Sequence, residues 1–522
     1  MTREWVCVLD FGSQYTRLIA KAIRAQEVYC EVAPPTLSAR EVQERAPSAL
    51  VLSGGPRSVY EPGAPRLDPK ILELGIPVLG ICYGMQLLAH LLGGRVERSP
   101  HKAEYGVAEI EIAEDDPLFA GLGKRERVWM SHGDVITKLP PGFRALAHSV
   151  GEGSAPPLLA AMRDEAGRVY GVQFHPEVHH TPHGPQMLHN WLRRICGLRE
   201  RWRPGDLVGQ RVEELRERLE GKRALIAVSG GVDSSVAAVL VHRAIGERLV
   251  PVFVDTGLLR KGESERVQGV FERLGLPLHV VDAREEFFGK LRGITDPEAK
   301  RKAIGETFIR VFEREARRLE QEEPLDVLVQ GTIYSDVIES GGAGTASHAE
   351  VIKSHHNVGG LPEKLGFELV EPLRDLFKDE VRELGRALGL PEEIVDEQPF
   401  PGPGLAVRIL GEVTPEKVAL LQEADAILRE EVRRAGLHRE IWQYFAVLLP
   451  VRSVAVRGDG RGYGYVVALR AVHSRDGMTA DWYKLPHDVL ARISSRITNE
   501  VPEVTRVVYD ITSKPPGTIE WE

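Results

Sequence analysis

The sequence predicts an α/β fold in three domains, and three observations carry that prediction. Short apolar runs alternate with helical segments through most of the chain, which is the pattern of strands covered by helices. The apolar run Ala224-Leu-Ile-Ala-Val228 leads straight into a glycine-rich turn and then into a second apolar run of helical character. At 522 residues the chain exceeds one ordinary core, since domains run to about 150 residues. The domains are assigned to residues 1–198, 199–399 and 400–522.

Composition narrows the class. With 43% hydrophobic and 27% charged residues the chain has enough apolar surface for several cores and no long disordered tract. A formal charge of −9 gives no general attraction to nucleic acid or to an anionic membrane, so neither is expected as a partner. Cys7, Cys30, Cys82 and Cys196 are the only cysteines, too scattered for a zinc site or a disulfide framework. No uninterrupted apolar run reaches the ~18 residues of a membrane span, and charges interrupt the N-terminal segment. A cytoplasmic location follows as the expectation.

In the first domain, strands are predicted at 5–9, 49–52, 78–81, 107–112 and 169–174, with helices at 14–25, 69–74 and 85–92. Glycine- and proline-rich turns separate them. Arg199-Glu-Arg-Trp-Arg-Pro-Gly205 is a charged, proline-containing break and reads as a linker. The second domain opens with an amphipathic helix at 212–219. Strands at 224–228, 249–254, 278–281 and 327–330, joined by helices, then predict a doubly wound parallel sheet whose ligands sit beyond the strand C-termini. Gln398-Pro-Phe-Pro-Gly-Pro-Gly404 can form neither helix nor central strand, and marks a boundary or a rigid functional loop. Helices at 415–435 and 487–500, with strands at 452–456, 463–472 and 504–510, make the third domain a small α+β unit.

The loop Ser229-Gly-Gly-Val-Asp-Ser-Ser235 lies between the strand and the helix start. Glycines let the backbone approach an anion, and the converging N–H groups and serine hydroxyls sit at the positive end of the helix dipole. No lysine is spaced to follow a transferring γ-phosphate, while Asp233 offers a carboxylate to magnesium. Cleavage between the α- and β-phosphates is the chemistry expected. The stretch resembles the SGGxDS loop of the ATP pyrophosphatase families, which implies ATP contacts at Ser229, Gly230, Gly231, Val232, Asp233, Ser234 and Ser235, with Mg2+ on Asp233.

A second constellation stands in the first domain. Val78-Leu-Gly-Ile-Cys-Tyr-Gly-Met-Gln86 puts Cys82 at a sharp strand-to-helix turn, where a side chain is exposed and a helix N-terminus favours a thiolate. Alone, Cys82 reads as a small core residue. Val172-Gln-Phe-His-Pro-Glu177 changes that, because His175 and Glu177, two apart in extended chain, face one side together as base and orienting group. Ser53-Gly-Gly-Pro56 is either an ordinary turn or, through Gly54 and Gly55 with the N–H of Tyr83, an oxyanion hole. The G-x-C-x-G-x-Q elbow and the His-Pro-Glu segment are similar to class I glutamine amidotransferases. That resemblance implies hydrolysis of the glutamine side-chain amide through a thioester, releasing ammonia.

Three further segments narrow the family. Ile352-Lys-Ser-His-His-Asn-Val-Gly-Gly-Leu-Pro362, the loop at 398–405 and Thr512-Ser-Lys-Pro-Pro-Gly-Thr-Ile-Glu-Trp-Glu522 closely resemble the glutamine-hydrolysing GMP synthetase family. The resemblance implies that ATP adenylates O2 of XMP and that ammonia then displaces AMP. Lys353, on a glycine-, histidine- and asparagine-rich loop, reads either as a solvated surface lysine or as a cation available to the ATP phosphates, as on a mobile lid. The resemblance implies XMP contacts at Lys514, Ile519 and Glu520, with Arg301 in the charge run Lys300-Arg-Lys302 the weaker carry-over, and a homodimer through the C-terminal domain. Glu397 before Gln398 departs from the family pattern, which puts the substrate contacts of that loop in doubt. The C-terminal peptide is expected to add little to the core. A rival reading keeps the two half-reactions but aminates another acceptor, such as a nicotinate nucleotide.

Overall fold

Runs of aliphatic residues, buried on both faces, form the middle of the first sheet. Tyr29–Ala33, Trp5–Leu9, Ala49–Leu52, Val78–Ile81 and Val169–Val172 pair in that order, all parallel. Burial on both faces explains why Ala49–Leu52 and Val78–Ile81 read as unbroken apolar runs. Beyond Val169–Val172 the sheet becomes antiparallel through Leu159–Asp164, Phe143–Ser149, Glu104–Ile112 and Arg125–His132. Most of these outer strands escape the sequence reading. Arg125–His132 alternates exposed and buried positions, so charged residues interrupt its apolar set.

This computed structural model describes residues 4–99, 104–150, 157–339, 366–457, 460–474 and 479–522. Lys353 and its flanking histidines lie outside the described residues. The chain divides into two compact units, Met1–Arg203 and Pro204–Glu522. The segment read as a linker packs on the first unit up to that division. Trp202 is only 5% exposed, its N–H donates to Glu27 O at 2.8 Å, and its ring lies against Arg24.

In the second unit the parallel strands run His279–Asp282, Leu249–Asp255, Ala224–Ala227, Val327–Val329 and Glu368–Val370. Ala224–Ala227 comes first in sequence and lies in the centre. The chain therefore winds outward to one side and then to the other, and the strand order reverses beside its C-terminal end, where ligands bind such sheets. A second sheet pairs Gln443–Arg457 antiparallel with Gly460–Ser474, whose other edge takes Ala480–Trp482 and Val504–Asp510.

One apolar cluster joins the two sheets of this unit. It runs from Leu225 and Val252 of the parallel sheet through Leu421 and Leu428 of the helix Pro415–Arg434 to Val467 and Leu469 of the second sheet. The helix His487–Glu500 adds Val489, Ile493 and Ile497 to the same cluster.

Candidate active site

Steric limits build the turn at Cys82. A β-carbon on Gly80 would come within 2.6 Å of the Gly84 backbone, and one on Gly84 within 2.4 Å of Leu52 O. Only glycine allows strand and helix to approach this closely. Cys82 itself takes φ 53°, ψ −106°, a strained conformation for a residue with a side chain. Its N–H donates to Val172 O at 2.8 Å, and its thiol donates to Ser131 O at 3.6 Å.

The histidine comes from the neighbouring strand. Just beyond Val169–Val172, His175 donates its N–H to Trp129 O at 3.0 Å, and its carbonyl accepts from Thr181 Oγ1 at 2.7 Å. Its Nδ1 lies 2.7 Å from Glu177 Oε1, its ring packs edge-on against Tyr15, and the Cys82 side chain is near enough to influence its titration. Burial lowers the imidazole pKa, but the Glu177 charge, the bond to Glu177 and the Cys82 side chain outweigh it and leave the value raised well above 6.5. Cys82, His175 and Glu177 therefore stand in one line of contacts.

Gly54 and Gly55 border the same site. A β-carbon on Gly54 would lie 3.2 Å from His175 Cε1, and one on Gly55 would lie 2.9 Å from Phe11 O and 3.1 Å from the Tyr83 ring. The N–H of Gly84 donates to Ser53 O at 3.1 Å and pins this turn to the elbow. Tyr83 opens the helix Tyr83–Leu91, so its N–H has no acceptor within that helix. Ser131, Tyr15 and Thr181 were not legible as site residues.

The loop at 229–235 ends in the helix Val232–Ile245, with Gly230 at φ +82° and Gly231 at the N-cap. Ser229 N–H donates to Ser234 Oγ at 3.1 Å, which closes the loop on itself. The expectation that Ser235 also donates to an anion meets a different arrangement. Its hydroxyl is buried and donates to Gly231 O at 2.8 Å. Ser234 Oγ donates to the same carbonyl at 3.2 Å, so these hydroxyls shape the cradle while backbone N–H groups line it.

Asp233 divides its carboxylate. Oδ2 accepts from Lys378 Nζ at 2.6 Å, whereas Oδ1 is buried and has no partner among the described residues. Magnesium bound with nucleotide phosphates needs only one or two protein carboxylates, and Oδ1 fits that requirement. No group of three or more His, Cys, Asp or Glu among the described residues could hold a metal by itself.

The C-terminal segment is clamped by buried cations that resemble surface residues in the sequence. Lys300, in the helix Pro297–Glu322, is fully buried and donates to Ile409 O at 2.7 Å and to the Glu522 carboxylate. Arg301 donates to Glu522 O, Arg408 forks onto Glu520, and Arg470 donates to Thr518 O at 3.0 Å. In the run Lys300-Arg-Lys302 the segment thus supplies acceptors to the first two residues, while Lys302 stays solvent-exposed. Ile519 is buried against Phe445 and Val472, contrary to the expectation of a peptide outside the core. Lys514 pairs its backbone with Ala480. Arg301 and Glu522 meet, as do Ile519 and the second sheet; Glu397 is a buried ion-pair node between Arg260 and Arg429, at 2.6 and 2.7 Å.

Comparison with known proteins identifies the family. Residues 7–195 match the family described as glutamine amidotransferase class-I, and residues 430–521 match the GMP synthase C terminal domain. Curated relatives named GMP synthase [glutamine-hydrolyzing] align end to end. The one from Thermomicrobium roseum is 58% identical over 99% of this chain and 96% of its own, and that from Geobacillus kaustophilus 57% identical over the whole of both. The chain belongs to the glutamine-hydrolysing GMP synthase family. A relative from Symbiobacterium thermophilum is 57% identical over 100% of this chain and 99% of its own. Among solved structures, a glutamine amidotransferase from Thermotoga maritima covers 38% of this chain and all of its own at 21% identity, with a TM-score of 0.30. Members of this family are ligases that take nitrogen from glutamine, and the elbow, the phosphate loop and the C-terminal segment fall on both sides of the division at Arg203.

Proposed function

We propose that this chain makes GMP from XMP, ATP and glutamine, with ammonia passing from a glutaminase site at Cys82 to a nucleotide site at the 229–235 loop. The observation that carries the reading is the end-to-end likeness to GMP synthases in a chain that holds both constellations. Cys82 attacks the glutamine amide carbon after His175 takes the thiol proton. The tetrahedral oxyanion faces the N–H groups of Gly54, Gly55 and Tyr83. His175 returns the proton to the leaving nitrogen, so ammonia departs and a thioester remains for water to hydrolyse to glutamate. Glu177 holds the imidazole in place throughout.

At the second site the N–H groups of the first helical turn, at Val232, Asp233 and Ser234, hold the ATP phosphates, while Ser235 N–H donates to Gly231 O. O2 of XMP attacks the α-phosphorus, pyrophosphate leaves, and ammonia then adds at C2 and expels AMP with that oxygen. Magnesium, when bound, neutralises phosphate charge, and Asp233 Oδ1 would hold it. Lys353 is assigned to the ATP phosphates, and Arg301, Lys514, Ile519 and Glu520 to XMP. We assign the glutaminase to residues 1–198, ATP chemistry to 199–399, and XMP binding with dimerisation to 400–522.

The reading also makes the protein a cytoplasmic homodimer that binds no nucleic acid. Supporting the dimer, Val454, Val456 and Tyr463 are 55%, 76% and 65% exposed on one face of the paired strands Gln443–Arg457 and Gly460–Ser474, with Val454 opposite Tyr463. No helix among the described residues is long and apolar enough to cross a membrane. The decisive test is Cys82→Ala. GMP synthesis from glutamine should fall at least ~1,000-fold while synthesis from ammonium salt persists, and equal loss of both would refute the two-site reading.

A further inference from the structure

A carboxylate that selects a substrate needs a fixed plane as well as a fixed position. For Glu520 both come from Arg408. This arginine ends the turn Gly404–Arg408, which follows directly on the proline-rich loop at 398–403. That loop has its own anchor. Gly404 takes φ +62°, a β-carbon there would lie 2.4 Å from Leu258 O, and Leu405 N–H donates to the same oxygen at 2.8 Å.

The Arg408 side chain is 0% exposed, and its guanidinium lies 4.0 Å from the Phe445 ring centre and 5.2 Å from that of Phe400. It donates from Nε to Glu520 Oε2 at 3.0 Å and from Nη2 to Oε1 at 2.7 Å. Two parallel bonds from a planar fork orient a carboxylate in a way that a lysine, a point charge, does not. Gln443 adds a bond from Nε2 to Oε1 at 2.9 Å, while also donating to Pro399 O at 3.0 Å.

An ionised carboxylate has about four acceptor positions. Three of those on Glu520 are filled here. The remaining one is on Oε2, on a side chain that stays 20% exposed.

We propose that Arg408 is a positioning residue for substrate selection: with Gln443 it leaves Glu520 one directed acceptor, so that the site takes a nucleotide presenting an N–H or O–H there. The inference rests on the assignment of Glu520 to XMP. The loop at 398–403 then serves the reaction by delivering Arg408 and stacking Phe400 against it.

The test measures AMP release with ammonium salt as nitrogen donor and XMP varied, for wild type, Arg408→Lys, Glu520→Gln and the double variant, with a thermal melt of each. Arg408→Lys should raise the XMP KM about tenfold while changing kcat less than about twofold, since the contact exists in ground and transition states alike. The double variant should be no worse than Glu520→Gln alone, because the fork acts only through that carboxylate. A general loss of stability would instead add to the Glu520 effect. Should Arg408→Lys fail to fold, Gln443→Leu carries the same cycle, with a smaller KM rise that vanishes in the Glu520→Gln background. An unchanged KM in Arg408→Lys beside a raised one in Glu520→Gln, or additive effects, overturns the positioning role alone. An unchanged KM in Glu520→Gln overturns the assignment of Glu520 to XMP and this inference with it.

Discussion

His175 and Glu177 are legible from sequence as a pair two residues apart, but their electrostatic relation comes from burial and distance. The imidazole is pushed toward its neutral form by burial and pulled more strongly toward its charged form by Glu177, at 2.7 Å, and by Cys82. Because the folded pKa is raised, protonation of His175 adds stability that is complete below about pH 6.5 and is lost as the pH rises through the folded value. The same sign governs activity. If the working form pairs an imidazolium with the Cys82 thiolate, its alkaline limb follows His175. Glu177→Gln removes the chief raising charge, so the alkaline limb of glutaminase kcat/KM should move to lower pH, with a rate loss of about tenfold to a hundredfold. A pH profile of glutamate release checks this, and a limb that stays in place or moves upward would assign it to another group.

At the scale of elements, uniform apolar runs were readable and alternating ones were not. Ala49–Leu52 and Val78–Ile81 lie in a sheet covered on both faces, so no charge interrupts them. Arg125–His132 carries arginines at its outward positions, and the short apolar run of Leu159–Asp164 gives way to Arg163, which pairs with buried Asp116, and Asp164. The C-terminal segment hides more. Nothing in Lys300, Arg408 or Arg470 as letters says that they are buried, since such residues are nearly always solvated. Lys300 and Arg408 find their carboxylates at Glu522 and Glu520, more than a hundred positions away, and Arg470 adds Thr518 O to its pair with Asp510; only the fold brings these together. Deleting residues 513–522 should therefore destabilise the second unit, since Lys300 and Arg408 lose their carboxylate partners, a stranded buried cation costs about 3–5 kcal/mol, and Ile519 leaves the core. Differential scanning calorimetry should register a lower Tm for the transition of residues 204–522. A truncated protein that melts like the wild type would make these clamps energetically idle, and would return the segment to a purely substrate-binding role.

For the whole molecule, the motifs of both candidate sites stand out in sequence because each is a short run, the elbow at 78–86, the His-Pro-Glu segment at 172–177 and the loop at 229–235, but only the sheet brings the elbow beside His175. Association is a property of surface, and the sequence gives no sign of which apolar residues the fold leaves outside. Val454, Val456 and Tyr463 are β-branched or aromatic residues in a strand pair, a composition that also suits a core, yet they are among the most exposed large apolar groups described. Their neighbours further along the same strands, such as Val447 and Val467, are buried, so the patch belongs to the outer half of the pair. The proposed dimer would cover a face of this kind, and Val456 is the most exposed residue of that face. Val456→Asp puts an unpaired carboxylate into that contact and should weaken the dimer at least ~100-fold. Sedimentation velocity across a dilution series should find dimeric wild type and monomeric variant at the same micromolar concentration. Dimers of equal stability in both proteins would place the subunit contact on another surface and leave this patch exposed for some other use.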